Sequence, residues 1–391
     1  MQRYTGGMLR IVVFFALISA LYSKSLDVNV IARSAILMNA ETGAVLFEKD
    51  SRSKAYPAST TKIATLLYIL EQQKLPFDRL ITVSADALKM KHLSKEVAPH
   101  LLIPDGTMMG LMKGEKVSVE ALLHGLMLVS GNDAANVLAE AHAGSVPQFM
   151  EELNRYLRET VGCTRTQLCN PHGIHWHEHY TCAYDLCLIA RKGLQVPKFR
   201  QIVSTMIYRC PKSNKRPEVE LKQFNALLKK GRHHYPKAFG IKTGFHSNAM
   251  NALVAAAEHE GRVLIAVLLG CPNSGNRYQD AIRLFEAAFK EKQQKKHILG
   301  PERILTHPIS KTKKTLRAAL AKELELTFFP SEEPQCKAMV HWEALSFPIK
   351  KGQKVGEVHL IDEQQRVLKK GDLLAKEEIQ GSWLQKLLSW L

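Results

Sequence analysis

Tyr56-Pro57-Ala58-Ser59-Thr60-Thr61-Lys62 opens a segment in which Ile63, Leu66, Leu67 and Leu70 recur at helical spacing. Pro57 disfavours helix immediately upstream, so the spacing predicts a helix that begins at Ser59. Lys62 lies three residues on and therefore shares a face with Ser59, close enough for an amine to reach a hydroxyl. A helix N-terminus also offers unpaired N–H groups and a dipole that favour developing negative charge. Taken alone, a serine and a lysine at this spacing describe any capped helix start.

Two further strings remove that ambiguity. Ser130-Gly131-Asn132 follows an apolar helical stretch from Ser118 to about Val129 and precedes another that starts near Asp133. It reads as a short connection whose side chains can point into a cleft held by rigid elements. Lys242-Thr243-Gly244 ends the first of three consecutive strand candidates, Ala238 to Gly244, Ala249 to Ala257 and Arg262 to Leu269, with a tight turn at His259-Glu260-Gly261. Gly244 has no side chain to keep a ligand off that strand. Upstream, Asn39-Ala40-Glu41-Thr42-Gly43 reads as a hairpin turn between apolar runs. The order S-x-x-K, S-x-N, K-T-G, each string in a fitting local structure, is the mark of penicillin-interacting serine enzymes.

With these motifs the chain resembles the D-alanyl-D-alanine carboxypeptidases, the low-molecular-mass penicillin-binding proteins. Leu128-Val129-Ser130-Gly131-Asn132-Asp133-Ala134-Ala135, Asn170-Pro171-His172-Gly173-Ile174 and Gly240-Ile241-Lys242-Thr243-Gly244-Phe245 are similar to family blocks. The likeness runs from about residue 30 to 289 and more loosely to about 376. It implies an α/β (α+β) fold: a penicillin-binding, β-lactamase-like catalytic domain with an antiparallel sheet flanked by helices, and a small C-terminal β-sandwich. The domain limits expected are 26–292 and 297–378.

The resemblance also implies roles. Ser59 is the expected nucleophile, Lys62 its base, and Ser130 the carrier of a proton to the departing amine. Lys62 must then be neutral, which desolvation and a second cation at Lys242 would favour. Asn132 would hold the substrate's peptide carbonyl and Lys62. Lys242 and Thr243 would bind the terminal carboxylate, and the backbone N–H groups of Ser59 and Phe245 would form the oxyanion hole beside Gly244. Arg277, at the start of the last helix of this domain, resembles a family arginine near the carboxylate. The reaction implied is removal of the terminal D-alanine from peptidoglycan pentapeptide stems through an acyl-enzyme, with penicillins acylating the same serine. A D,D-endopeptidase, a β-lactamase and a non-catalytic wall-binding or β-lactam-binding protein are the alternatives.

Two departures bear on these alternatives. Class A β-lactamases carry a glutamate where Met150 opens Met150-Glu151-Glu152-Leu153-Asn154, so efficient β-lactam hydrolysis is disfavoured. The stretch between Lys62 and Ser130 is long around Lys91 to Leu102, a loop expected to border the cleft.

The remaining sequence speaks to location. Arg3 and Arg10 flank an apolar core, Ile11 to Leu21, followed by small residues at Ser23 and Ser25, the pattern of an export signal over 1–25. At the other end Trp383, Leu384, Leu387, Leu388, Trp390 and Leu391 fill one arc of a helical wheel, so 381–391 reads as an amphipathic helix lying on an anionic membrane surface. Export places the protein on the periplasmic face of the cytoplasmic membrane and argues against nucleic acid as the partner of its 54 Lys+Arg against 37 Asp+Glu. Seven cysteines without paired C-x-x-C spacing indicate no zinc site. Their odd number leaves at least one thiol unpaired within the chain, and Cys163 and Cys169 are near enough in sequence to bridge. His172, His175, His177 and His179 crowd together, but the loop resembles a family loop without metal. No cofactor is implied. Lys290 to His297 reads as a linker, and Leu316 to Leu320, Leu324 to Phe329 and Lys354 to Ile361 as strands beyond it.

Overall fold

The computed structural model describes residues 12–15, 25–93, 97–309, 314–362 and 364–380. The chain divides into two compact units, Ser25–Lys290, and Met1–Lys24 with Glu291–Leu391.

The first unit is built on a five-stranded sheet in the order Val45–Lys49, Ser34–Asn39, Arg262–Cys271, Met250–His259, Ala238–His246. Every pairing is antiparallel. Side chains alternate between faces along a strand, and here both faces are covered. Ile36, Met38, Val254, Ile265 and Val267 point into a core shared with the helices Lys62–Gln72, Val119–Leu128, Asn132–Ala143, Val146–Tyr156 and Ala183–Leu194. Leu37, Leu253, Leu264 and Leu268 point the other way, against Tyr278, Leu284 and Phe285 of the helix Ser274–Phe289. Burying each such leucine or phenylalanine contributes about 1.5–3 kcal/mol, so both helical layers are firmly attached. This is the helix-flanked antiparallel sheet that the family resemblance implies. The hairpin at Asn39 is closed by its side chain, whose Oδ1 accepts from Glu41 N and Thr42 N.

The opening of the first helix differs from expectation. Ala58–Thr61 is a 3₁₀ turn, and α-helix begins only at Lys62. Both the hydroxyl and the amide of Thr60 bond the carbonyl of Pro57, at 2.7 and 3.2 Å, which tightens the turn to i→i+3 closure.

The second unit pairs Val12–Phe15, Cys336–Trp342, Lys354–Asp362, Val367–Ala375, Thr315–Leu320 and Leu305–Pro308 in one sheet, and Gln294–Leu299 with Leu324–Phe328 in another. Leu316, Val355, Val358, Leu360 and Leu373 form its core. The stretch read as a linker is therefore partly a strand. Lys295 and Lys296 sit on that strand, where Lys296 bonds Glu333, and composition hid the pairing. The proposed leader lies outside the described residues apart from Val12–Phe15, which pair antiparallel with Cys336–Trp342, and Ser25. The tail 381–391 lies wholly outside them. Among the described residues no helix is long and apolar enough to cross a membrane.

Candidate active site

Three elements converge on one cleft in the first unit: the 3₁₀ turn with Ser59, the connection with Ser130, and the strand Ala238–His246. The cavity has a volume of about 400 Å³ and is lined by Ser59, Ser130, Asn132, Thr243, Gly244, Phe245 and Arg277, with 103, 105–107, 173–174, 224 and 246–247 completing its walls. Lys62 and Lys242 lie just beneath that surface, 0% and 2% exposed.

Lys62 is the most informative group. Its Nζ stands 2.7 Å from Asn132 Oδ1, 2.6 Å from the carbonyl of His172 and 3.2 Å from Ser59 Oγ. The first two atoms are oxygens that can only accept, so they take two N–H bonds. A neutral amine has two N–H bonds and one lone pair, and the lone pair is left facing the longest and only ambivalent partner, the Ser59 hydroxyl. Burial holds the Lys62 pKa well below the usual lysine range, the positive charge of Lys242 lowers it further, and Asp133 opposes them weakly. Geometry and electrostatics agree on an amine able to take a proton.

Close packing aims the Ser59 turn. Gly173 adopts φ 93°, and a Cβ there would lie 1.9 Å from the carbonyl oxygen of Ala58. A Cβ at Gly244 would meet Pro57 O at 3.0 Å and Ser59 N at 3.2 Å. The strand thus runs against the Ser59 amide with only a glycine between them, and Phe245 follows at the cleft, 68% exposed. Ser59 and Phe245 thus both line the cavity next to the Gly244 contact. Ala58, at φ 47°, absorbs the sharp entry into the turn.

Ser130 is itself left-handed, at φ 60°, and its buried Oγ has no hydrogen-bond partner. Asn132 starts the next helix, so its side chain leaves the helix N-terminus towards Lys62. Lys242 donates to Thr243 O at 3.0 Å. Burial, and then the charge of Arg277, press its pKa down to about 7. Arg277 bonds the carbonyls of Gly244 at 2.8 Å and Ala252 at 3.3 Å, while its buried Nε is left unpartnered. Two cations thus flank one end of the cleft, an arrangement suited to a carboxylate.

Sequence reasoning missed several contributors. The carbonyl of His172 is a backbone group without a sequence signature; Asn170 secures its loop by accepting from Gly173 N at 2.6 Å and donating to Ile174 O at 2.8 Å. Asp133, next to Asn132, accepts from the backbone N–H groups of Met109, Gly110 and Leu111 and so ties the segment 103–112 beside the cleft. Among the described residues, 103 and 105–107 line the cavity, and 91–93 and 97–102 do not. Lys91 N donates to Leu102 O, and Asn136 Nδ2 donates to His100 O.

The histidine cluster is dispersed in role. His172 and His179 are buried and neutral, His179 bonding Thr61 Oγ1 at 2.8 Å; His175 stacks on His246; His177 is exposed beside Glu178. Among the described residues no group of three potential ligands is assembled for a metal. All seven cysteines are free, so Cys163 and Cys169 do not bridge; Cys163 is buried in the helical core. Met150 also packs in that core and puts no carboxylate at the cleft.

The family model for D-alanyl-D-alanine carboxypeptidase matches residues 22–273. D-alanyl-D-alanine carboxypeptidase DacF of Bacillus subtilis is 28% identical over 367 residues, 89% of this chain and 86% of its own. DacD of Escherichia coli is 28% identical over 350 residues, 86% and 84% of the two chains. Among solved structures, penicillin binding protein 6B from Escherichia coli superposes with a TM-score of 0.64 at 25% identity, covering 90% of this chain and 99% of that one. Penicillin binding protein 5 from Haemophilus influenzae gives 0.63 at 25% identity, again over 90% and 99%. With this cleft and these relatives, the chain belongs to the D-alanyl-D-alanine carboxypeptidase family of serine peptidases.

Proposed function

We propose that Ser59, Lys62 and Ser130 carry out the family reaction, release of the terminal D-alanine from peptidoglycan stem peptides. The observation that carries this assignment is the triple environment of Lys62 Nζ, two carbonyl oxygens and the Ser59 hydroxyl. Ser59 Oγ attacks the carbonyl carbon of the penultimate D-alanine and its proton passes to Lys62. The oxyanion is met by the backbone N–H groups of Ser59 and Phe245. The C–N bond then breaks, its electron pair going to nitrogen. That nitrogen takes the Ser130 proton, and Ser130 recovers one from the Lys62 ammonium. Water later hydrolyses the Ser59 ester. Asn132 orients the substrate amide and Lys62 together. Lys242, Thr243 and Arg277 bind the free carboxylate, the reason for acting at a chain terminus. A β-lactam presents the same acyl carbon and carboxylate and acylates Ser59; with Met150 buried in the core, its release is slow.

The test is mass spectrometry of the protein with penicillin, beside a D-alanine assay on a pentapeptide. A stable adduct on Ser59 with D-alanine release supports the assignment. An adduct without release identifies a β-lactam-binding protein, rapid adduct turnover a β-lactamase, and release only from crosslinked dimers an endopeptidase.

The chain is further proposed to be exported by its first 25 residues and to sit peripherally on the periplasmic face of the cytoplasmic membrane through 381–391. Support comes from the charge and apolar pattern of the leader and the complete separation of apolar and polar arcs in the tail. Eleven residues are too few to span a bilayer, and their tryptophans suit the headgroup level. Flotation with anionic liposomes, with and without 381–391 and lacking the leader in both cases, tests the anchor. Equal flotation would refute it.

A further inference from the structure

We infer that Thr107 is a positioning residue for Ser130, setting the hydroxyl that supplies the leaving-group proton; this rests on the role of Ser130 proposed above. Ser130 adopts a backbone conformation that side-chain-bearing residues seldom take, and its Oγ, buried and without a partner, does nothing to hold it there. The peptide units around it are held instead. Thr107 Oγ1 donates to the carbonyl of Ser130 at 2.7 Å, and the carbonyl of Thr107 accepts from Asn132 N at 2.9 Å. Gly131 N completes the series by donating to Gly125 O at 2.9 Å. One threonine thus secures both residues of the Ser130–Asn132 pair from the facing wall.

Thr107 is exposed at that wall, where its hydroxyl has water as an alternative, yet it bonds the Ser130 carbonyl. The segment that presents it is rigid. Asp133 takes three of its backbone N–H groups, and Arg216 donates to Met109 O at 2.9 Å while pairing with the fully buried Glu115 at 2.7 Å. Gly106 leaves space for the Asn132 amide, which a Cβ would approach to 2.8 Å. The clamp is therefore supported from behind as well as in contact in front.

The consequence is specific to one proton. When the C–N bond breaks, nitrogen must acquire the Ser130 proton as it takes up the bonding pair. A thioester of the same acyl group expels a thiolate, which leaves without that proton. Thr107→Val keeps the side-chain shape and removes the O–H. Losing one hydrogen bond at this point lowers kcat on a D-Ala-D-Ala peptide roughly five- to tenfold, with KM little changed. Thioester turnover falls less, and Thr107→Ser restores both rates. Thr107→Ala is measured alongside, because the ratio of amide to thioester turnover does not depend on the fraction of protein folded. Equal losses on the two substrates, a change confined to KM, or failure of the serine variant to restore the ratio would each overturn the role of Thr107. Absence of D-alanine release by the unaltered protein would instead overturn the reading of the whole site.

Discussion

The two units of this chain treat charge in opposite ways. In Ser25–Lys290 two lysines are almost wholly buried, an arginine nitrogen and a serine hydroxyl lack partners, and Ala58 and Ser130 are left-handed beside the cleft. In the C-terminal unit the core is mainly aliphatic with Trp342 added, and Lys354 stands at the surface between Glu357 and Asp372, 2.7 Å from each. Burial lowers the pKa of Lys62 and Lys242, whereas the carboxylate partners of Lys354 raise its pKa. A lysine made to lose its proton is useful as a base; a lysine made to keep it is useful for solubility and register. Buried lysines whose pKa is pressed down are concentrated in the unit that holds the cleft.

Substitutions that sharpen this contrast rank by expected effect. Ser59→Ala removes one oxygen at the cleft, so covalent penicillin labelling vanishes in the mass spectrum while the thermal midpoint is retained. Persistent labelling would move the nucleophile elsewhere. Lys62→Met preserves volume but removes the base and lowers the acylation rate by about 10²–10⁴. A smaller loss would show that another group accepts the Ser59 proton.

Lys242→Gln acts through two routes with separable signatures. It weakens peptides with a free terminal carboxylate more than the corresponding amides, because the charge-assisted contact is lost. It also removes a positive charge that lowers the Lys62 pKa, so the acid limb of the acylation profile moves to higher pH. An unmoved limb would mean that burial alone depresses Lys62. In the unaltered protein, preference for carboxylate substrates declines as pH rises through about 7, where free Lys242 loses its proton.

The same residue bears on stability. The folded state holds Lys242 at about 7, whereas an unfolded lysine titrates at about 10.4, so between these values the unfolded chain binds more protons. Stability contributed by this site therefore falls as pH drops from 10 to 7. Lys242→Met should raise the thermal midpoint, most at or below pH 7 and least near pH 10, while weakening carboxylate selectivity. A pH-independent gain would trace to packing instead. The smallest effect is expected in the other unit: Lys354→Ala breaks exposed ion pairs and should leave labelling and turnover unchanged, with a midpoint shift typical of a surface substitution. A large loss would show that the surface network around Lys354 holds the sheet together.

Sequence alone carried the residues proposed to react and most of the elements around them, although Ser59 sits on a 3₁₀ turn rather than at the start of the α-helix. Serine and lysine three residues apart, Ser130-Gly131-Asn132 between two apolar helices, and Lys242-Thr243-Gly244 at a strand end are local patterns, and local propensity is written residue by residue. The edge strand Gln294–Leu299 escaped that reading because its charges suggested a linker, and only pairing with Leu324–Phe328 makes it a strand. What tertiary structure decided is the protonation chemistry. Desolvation of Lys62, the nearness of Lys242 and the acceptance of an N–H bond by the His172 carbonyl join residues 110 and 180 positions apart in the chain. Backbone atoms such as the His172 carbonyl are the same in every residue, and a field depends on distance in space rather than along the sequence. The residues proposed to react are therefore legible in the letters, and the lowered pKa that suits Lys62 to the proposed role of base is legible only in the fold.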